Sequence, residues 1–535
     1  MPPKTAQSWK RWHTLFLFGF VVIIAYLTYF HRYTEPQAPY WDENYYITDA
    51  QREMHDMFYM QIHPPLGKLL IAWGEELMQS IGSVHVPADM STDDAPLLRV
   101  NERTDQFLDT EHADEFPKDF TFVGYRFFPV LLAWLGAPLL FLVFLFITRN
   151  PLLSGFLSFL YVFDNALIVH HRGAMLDGPM LFFVILAIFA FFLVLRYRAR
   201  RIPFLLSSAL FGAALALGFA TKFQNAIMVL LVPFLLWKLW PPKGASATGT
   251  PRRYDILHFS WASTATFFFC FVGVWQIHFS HMVTMNPALK NDGYYLASEQ
   301  YKEILTAGKQ GSLLSFPVML WDSFRYVDDY NKGIPKLDLC KPDENGSPWF
   351  LWPVGATTIS YRWETTGDDT FRYLYLVSNP VVWFTSLFAV ILSIVYLLAP
   401  LFSSSKNTQN PDMRFLILVF TTLYVAFMAA MSMFERVLFL YSYFPALIFS
   451  FVLIALIVME LRTLGWLKLT EEHKVIGVGI LAVLIFGVHQ FFRPLTYYEP
   501  LTDRELARRE WLPIWQIHCV NCGNVGPLVR HRCQQ

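Results

Sequence analysis

Asp42 and Glu43 stand side by side in Tyr40-Trp41-Asp42-Glu43-Asn44-Tyr45-Tyr46, about a dozen residues beyond the first apolar stretch. Aromatic residues flank the pair, as expected at a membrane interface. A carboxylate in that setting can act as a general base whose pKa is set by partial burial. The competing reading is a helix N-cap followed by a first-turn Glu. Next comes Ile62-His63-Pro64-Pro65-Leu66-Gly67-Lys68. His63 and Lys68 could meet a lipid phosphate, or the segment could be a structural turn with a snorkelling Lys.

Further charges stand within or beside apolar stretches: Arg126, Asp164 with Asn165, the run His170-His171-Arg172 with Asp177, Lys222 and Arg436. Such residues are expensive in hydrocarbon and are functional candidates by default, internal ion pairs being the alternative. Arg126, Arg172, Lys222 and Arg436 come from four separate hairpins. Convergent cations beside a carboxylate pair suit a phosphate leaving group and a hydroxyl nucleophile. Arg matches a phosphate through its planar fork, while Lys acts as a point charge. The cations would stabilise charge on the departing phosphate, and the carboxylate would take the proton of the attacking hydroxyl. Trp349 and Trp352 could stack on a sugar or peptide, or simply anchor at an interface.

These residues must be positioned by elements, and the composition says of what kind. Over 535 residues the chain is 54% hydrophobic and 16% charged, with 42 basic and 42 acidic residues. Soluble domains carry roughly 25% charge, so a polytopic membrane protein is expected. The zero net charge gives no sign of a nucleic-acid binder. Spanning helices need about 20 mostly apolar residues. Eleven candidates satisfy this, at roughly 13–31, 121–148, 152–169, 174–195, 203–221, 223–240, 258–280, 379–400, 413–432, 437–459 and 474–492.

Lys and Arg in the short connections fix orientation. Lys4, Lys10 and Arg11; Arg196, Arg198, Arg200 and Arg201; Lys238, Lys243, Arg252 and Arg253; and Arg462, Lys468 and Lys474 all fall on one side when eleven spans are counted. That side is expected to be cytoplasmic, with the first stretch an uncleaved span. Two long segments, roughly 32–120 and 281–378, then lie outside together with the tail. Within the first, Leu66, Leu69, Leu70, Trp73, Leu77 and Ile81 form an amphipathic stripe for a helix lying on the membrane surface. A membrane domain over 1–495 and an outer tail over 496–535 are expected. His518-Cys519-Val520-Asn521-Cys522 with Cys533 resembles half a zinc site, or a disulfide in an oxidising compartment; no catalytic metal is expected.

Several separated segments together resemble the protein O-mannosyltransferases, which have the glycosyltransferase class C fold. Trp41-Asp42-Glu43 is similar to the family's Asp-Glu motif, and His63-Pro64-Pro65-Leu66-Gly67-Lys68 to its His-Pro-Pro-x-Gly-Lys signature. Tyr125-Arg126-Phe127-Phe128-Pro129, Asp164-Asn165-Ala166 through Arg172, Leu176-Asp177-Gly178 and Gly218-Phe219-Ala220-Thr221-Lys222 resemble successive family segments. So do Asn379-Pro380-Val381-Val382-Trp383 and Arg436 with Tyr441, Tyr443 and Pro445. The order holds over roughly 10–495. The second outer segment is too short for the β-trefoil module of eukaryotic members, so the chain resembles the compact bacterial type.

The resemblance implies an inverting transfer of mannose from a polyprenyl or dolichyl phosphate to Ser or Thr of a protein, on the extracytoplasmic side. It implies no nucleotide sugar at the site. Asp42 would be the base with Glu43 beside it. His63, Lys68, Arg126, Arg172, Lys222, Arg436 and Tyr441 are expected at the donor phosphate or lipid, with Asp164 and Asp177 in support. The partners implied are the lipid-linked sugar, a polypeptide acceptor and membrane lipids. Dependence on a divalent metal and the choice between homo- and hetero-oligomers stay open. A related transferase with a lipid or glycan acceptor, and a transporter, are the competing functions.

Overall fold

The computed structural model describes residues 11–82, 116, 120–240, 253–283, 297–338, 344–367, 369–402, 410–464 and 467–517. The tail's His518–Cys533 stretch and Cys340 lie outside these residues. Among the described residues, nine helices are long and apolar enough to cross a membrane. In hydrocarbon every backbone N–H and C=O must be paired internally, which selects helices for these segments. Two of the eleven expected spans take another form. The third is a helix pair, α5 (Pro151–Val162) and α6 (Asn165–His171), bent by 61°. The sixth is a 3-10 segment, Phe223–Leu230, running into a short α-helix, Leu231–Leu239.

The chain folds into two compact units, each discontinuous in sequence. Unit 1 comprises residues 1–31, 134–169 and 337–535. Its centre is the helix Phe444–Glu460, buried from Phe444 to Ile457. The break between α5 and α6 is built by Asp164. One carboxylate oxygen caps the new helix by accepting from the Leu167 N–H at 3.0 Å. The other accepts from the Trp383 indole at 2.8 Å. Asn379 ties the break to the helix Glu471–Tyr497, donating its amide to the Phe163 and Ile485 carbonyls at 3.0 Å each. Asn165 donates to Thr496 at 2.7 Å. Asp164 therefore works in this unit as a helix cap.

Unit 1 also carries a small antiparallel sheet that hydropathy gave no sign of. β1 (Ile359–Thr365) pairs with β2 (Phe371–Leu376), which pairs in turn with Pro500–Leu501. Tyr361, Trp363, Tyr373 and Tyr375 are the aromatic residues that favour a pleated surface. The expected boundary at residue 495 falls inside the helix Glu471–Tyr497. Beyond it, Leu506, Trp515 and Ile517 share one core with Tyr373, Phe492 and Leu495.

Unit 2 comprises residues 32–133 and 170–336. α7 (Asp177–Tyr197) is its most deeply buried span, packed on α8 (Arg201–Phe219), which packs on α10 (Arg253–Ser280). Two short helices, α2 (Glu43–Met54) and α3 (Leu66–Ser80), pack on each other. α3 forms where the expected stripe starts, with Leu66 and Leu69 buried, but Leu77 is exposed, Ile81 lies past its end, and Lys68 and Glu75 are buried.

Candidate active site

The candidate residues in unit 2 gather around the start of α2. Arg126, in the first turn of α4 (Val123–Thr148), is fully buried. A guanidinium has five N–H donors, and all five are engaged. Nε and one Nη2 hydrogen go to the two Glu43 oxygens, both at 2.7 Å. Nη1 donates to the carbonyls of Thr34 at 2.9 Å and Pro36 at 2.8 Å. The remaining Nη2 hydrogen goes to the Ala38 carbonyl at 3.0 Å. The cation also lies 4.3 Å from the Phe122 ring centre.

Glu43 is equally occupied. Besides Arg126 it accepts from the Ala174 N–H at 2.7 Å and the Tyr40 N–H at 3.1 Å. This revises two expectations. Arg126 has no donor left for a phosphate, and Glu43 has no oxygen facing a substrate. Together they clamp the segment 34–43. Sequence spacing shows that a cation and a carboxylate lie on one side. It does not show that backbone carbonyls consume the rest of the fork.

The clamp leaves Asp42 differently placed. Asp42 stands at the N-cap of α2, yet its side chain makes no capping hydrogen bond. Trp41, just before it, holds a left-handed backbone (φ 54°), rare for a bulky residue. Burial pushes the Asp42 carboxyl up to about 6; Lys222 opposes that rise and Asp177 adds to it. The residue still keeps part of its surface open.

Lys222 follows α8 with extended backbone. Its ammonium donates to both Asp177 oxygens at 2.9 Å. His170 Nε2 lies 3.0 Å from the same carboxylate. Asp177 thus fixes Lys222 from the first turn of α7. Arg172 is buried and donates to the Arg32 carbonyl. Gly173 lets this turn approach: a Cβ there would stand 2.5 Å from the Tyr40 hydroxyl.

In the His-Pro-Pro-Leu-Gly-Lys segment the backbone and Lys68 make contacts within the fold. Pro65 is the N-cap of α3, and the Leu66 N–H donates to the Ala220 carbonyl at 2.9 Å. At Gly67 a Cβ would meet the end of the Leu176 side chain at 2.6 Å, so a larger residue would make that side chain shift. Lys68 is buried against Asp49 at 2.5 Å and lies over the Tyr59 ring. Burial lowers its pKa while Asp49 opposes. The expected phosphate contact for Lys68 therefore gives way to a salt bridge between α2 and α3. His63 is half-buried, its ring 6.2 Å from that of Tyr46.

Asp49 was not among the expected residues. Neither was the buried chain beside it, in which Tyr59 donates to Glu53 at 2.8 Å. Glu53 meets His278 at 2.5 Å, and His278 meets Gln61 at 3.0 Å. A histidine in the last turn of an apolar span was the available signal.

Arg436, Tyr441, Trp349 and Trp352 belong to unit 1. Arg436 is half-buried and its Nε–H has no hydrogen-bond partner. Tyr441 stacks on Phe439 at 5.6 Å. Trp349 remains exposed. Trp352 is fully buried and donates to the Ser347 carbonyl at 3.0 Å, so it is not available for stacking on a sugar. Among the described residues no group of three or more His, Cys, Asp or Glu could hold a metal ion.

An Asp–Lys–His cluster drawn from the start of α7, the end of α6 and the segment after α8, together with a clamped loop that presents one carboxylate, defines a polytopic helical protein with a polar site in unit 2. The fold is that of the class C glycosyltransferases. Residues 19–285 match the family described as dolichyl-phosphate-mannose-protein mannosyltransferase. Residues 330–515 match the C-terminal four-transmembrane region of protein-O-mannosyltransferase. The chain belongs to the protein O-mannosyltransferase family and is a multi-pass membrane protein.

It is 25% identical over 228 residues to dolichyl-phosphate-mannose–protein mannosyltransferase 1 of Candida albicans, covering 41% of this chain and 23% of that protein. It is 23% identical over 307 residues to protein O-mannosyl-transferase 2 of Drosophila pseudoobscura, covering 56% and 38%. The chain thus spans between 23% and 38% of the length of these curated relatives. Its structure is similar in fold to the Saccharomyces cerevisiae protein O-mannosyltransferase Pmt1-Pmt2 complex bound to the sugar donor. The TM-score is 0.76 at 14% identity, covering 99% of this chain and 96% of that one.

Proposed function

We propose that this chain transfers mannose from a polyprenyl or dolichyl phosphate to Ser or Thr hydroxyls of polypeptides, on the extracytoplasmic side of its membrane, with inversion at the sugar carbon. Asp42 takes the proton from the acceptor hydroxyl as its oxygen attacks the anomeric carbon. The bond from that carbon to the phosphate oxygen breaks, and the lipid phosphate leaves with the negative charge. Lys222 stabilises that charge, held in place by Asp177 and His170. Glu43 and Arg126 position Asp42 without touching substrate. The resemblance also assigns Arg436 and Tyr441 to the donor, and the unpartnered Arg436 Nε–H suits an anion.

The observation that carries this reading is the state of Asp42: no capping bond, a carboxyl raised by burial, and a lysine close enough to oppose the rise. A base with a pKa near 6 is ionised at neutral pH and more basic than an ordinary Asp. The test is purified protein in liposomes with labelled polyprenyl-phosphate mannose and a Ser/Thr peptide. Mannosyl peptide of inverted anomeric configuration is expected, and none from Asp42→Asn, which should still bind donor. Wild-type turnover by Asp42→Asn would remove Asp42 from the role.

A further inference from the structure

α10 is the lipid-facing edge of unit 2. Between His258 and His278 it has nineteen residues without a charge or a histidine, about 28 Å of helix, which matches a hydrocarbon core of about 30 Å. Phe269 on this stretch is 78% exposed, with Trp261, Phe268 and Ile277 also exposed. The hydrocarbon boundary on that side therefore falls near Gln276–Phe279.

Residues 310–321, Gln-Gly-Ser-Leu-Leu-Ser-Phe-Pro-Val-Met-Leu-Trp, are twelve in a row without a charge. They lead into the helix Phe316–Gly333, and they are docked at that boundary. Gln276 donates to the Gln310 carbonyl at 3.4 Å. The Phe316 ring lies 5.8 Å from Phe279, and Phe324 lies 6.0 Å from Trp275. At this level Leu313, Leu314 and Trp321 point outward, Leu314 92% exposed and Trp321 71%. Three large apolar side chains this exposed need a cover.

Part of the backbone of the tip is paired locally. Ser312 N–H donates to the Lys309 carbonyl, Ser315 N–H to the Ser312 carbonyl, and Leu314 N–H to the Ser312 hydroxyl. Each such local bond lowers the cost of carrying the backbone into the leaflet interface. Exposed charge brackets the segment, with Lys309 before it and Arg325 after it.

We infer that residues 310–321 form a monotopic foot. Leu313, Leu314 and Trp321 insert into the leaflet at the Ser280 end of α10, continuing the lipid-facing surface of that span. Lys309 and Arg325 stay at the headgroup level. The occupant of this face is the bilayer, not a second protein.

The wild-type protein in nanodiscs containing a phospholipid with a photoactivatable diazirine near its glycerol tests this. Trypsin cuts after Lys309 and Arg325, releasing residues 310–325 as one peptide. After illumination that peptide should carry at least tenfold more lipid adduct than its neighbour 303–309, as should peptides holding Phe268 and Phe269. Substituting Leu313→Ser, Leu314→Ser and Trp321→Gln together should cut adducts in 310–325 at least fivefold and leave those at Phe268 and Phe269 unchanged. Adducts at Phe268 and Phe269 with none in 310–325 overturn the inference. So do protein–protein crosslinks through 310–325 in place of lipid adducts.

Discussion

Asp42 and Arg126 are separated in role by what their atoms touch. If Asp42 is the base, kcat/KM should fall about tenfold per pH unit below about pH 6 and level off above it. The fall comes on the acid side because the protonated carboxyl cannot accept the hydroxyl proton. Lys222 lowers that pKa, so Lys222→Met should move the inflection to higher pH in whatever activity remains. A pH–rate profile on both proteins reads this directly. Arg126 behaves otherwise. Arg126→Ala leaves Glu43 buried without its cation, and breaking a buried pair costs about 3–5 kcal/mol. Arg126→Lys should not restore it, since three donors cannot serve five acceptors. Thermal unfolding in detergent should show the loss for both variants. A variant of wild-type stability with weakened donor binding would return Arg126 to the phosphate. The residue types at 42, 43 and 126 were legible in the sequence. The division of labour was not, because it depends on the carbonyls of Thr34, Pro36 and Ala38, which any residue would supply.

At the scale of elements, long apolar runs announced the spans, since length and hydropathy alone select them. The break in the third span was half-visible: Asp164 and Asn165 in an apolar run marked it as unusual. That its second carboxylate oxygen is held by Asn379 and Trp383 could not be read, because those partners lie more than 200 residues away in the chain. Asn379→Ala would strip the Phe163 and Ile485 carbonyls of their donor. Each buried unsatisfied group costs about 1–3 kcal/mol, so a clear drop in melting temperature is expected. Unchanged melting would mean the bend is held by Asp164 alone. The β1–β2 hairpin was missed for another reason: seven and six residues of aromatic alternation are too short a signal beside spans several times as long. α3 was legible as a helix from its repeating apolar residues, but its buried face was not: Leu77 is exposed while Lys68 and Glu75 are buried.

At the scale of the whole molecule, the composition settled the class and the charge pattern proposed an orientation. Neither could show that the chain passes between two units near residues 31, 133, 169 and 336. Two of those crossings lie inside helices, α4 and α6. The motifs divide accordingly: Asp42, Lys68, Arg126, Asp177 and Lys222 share one unit, while Asp164, Asn379 and Arg436 share the other.

The make-up of unit 1 has a consequence for how the protein is born. α1 (Arg11–Tyr29) is made before every other described helix. Its Tyr29 ring stacks on Tyr161 at 5.6 Å, and its Thr28 carbonyl accepts from the Tyr497 hydroxyl at 3.0 Å. The first of these partners follows 132 residues later in the chain and the second 469 residues later. The helix must therefore wait in the membrane, half-matched, while the segment that carries Tyr497 is still being made.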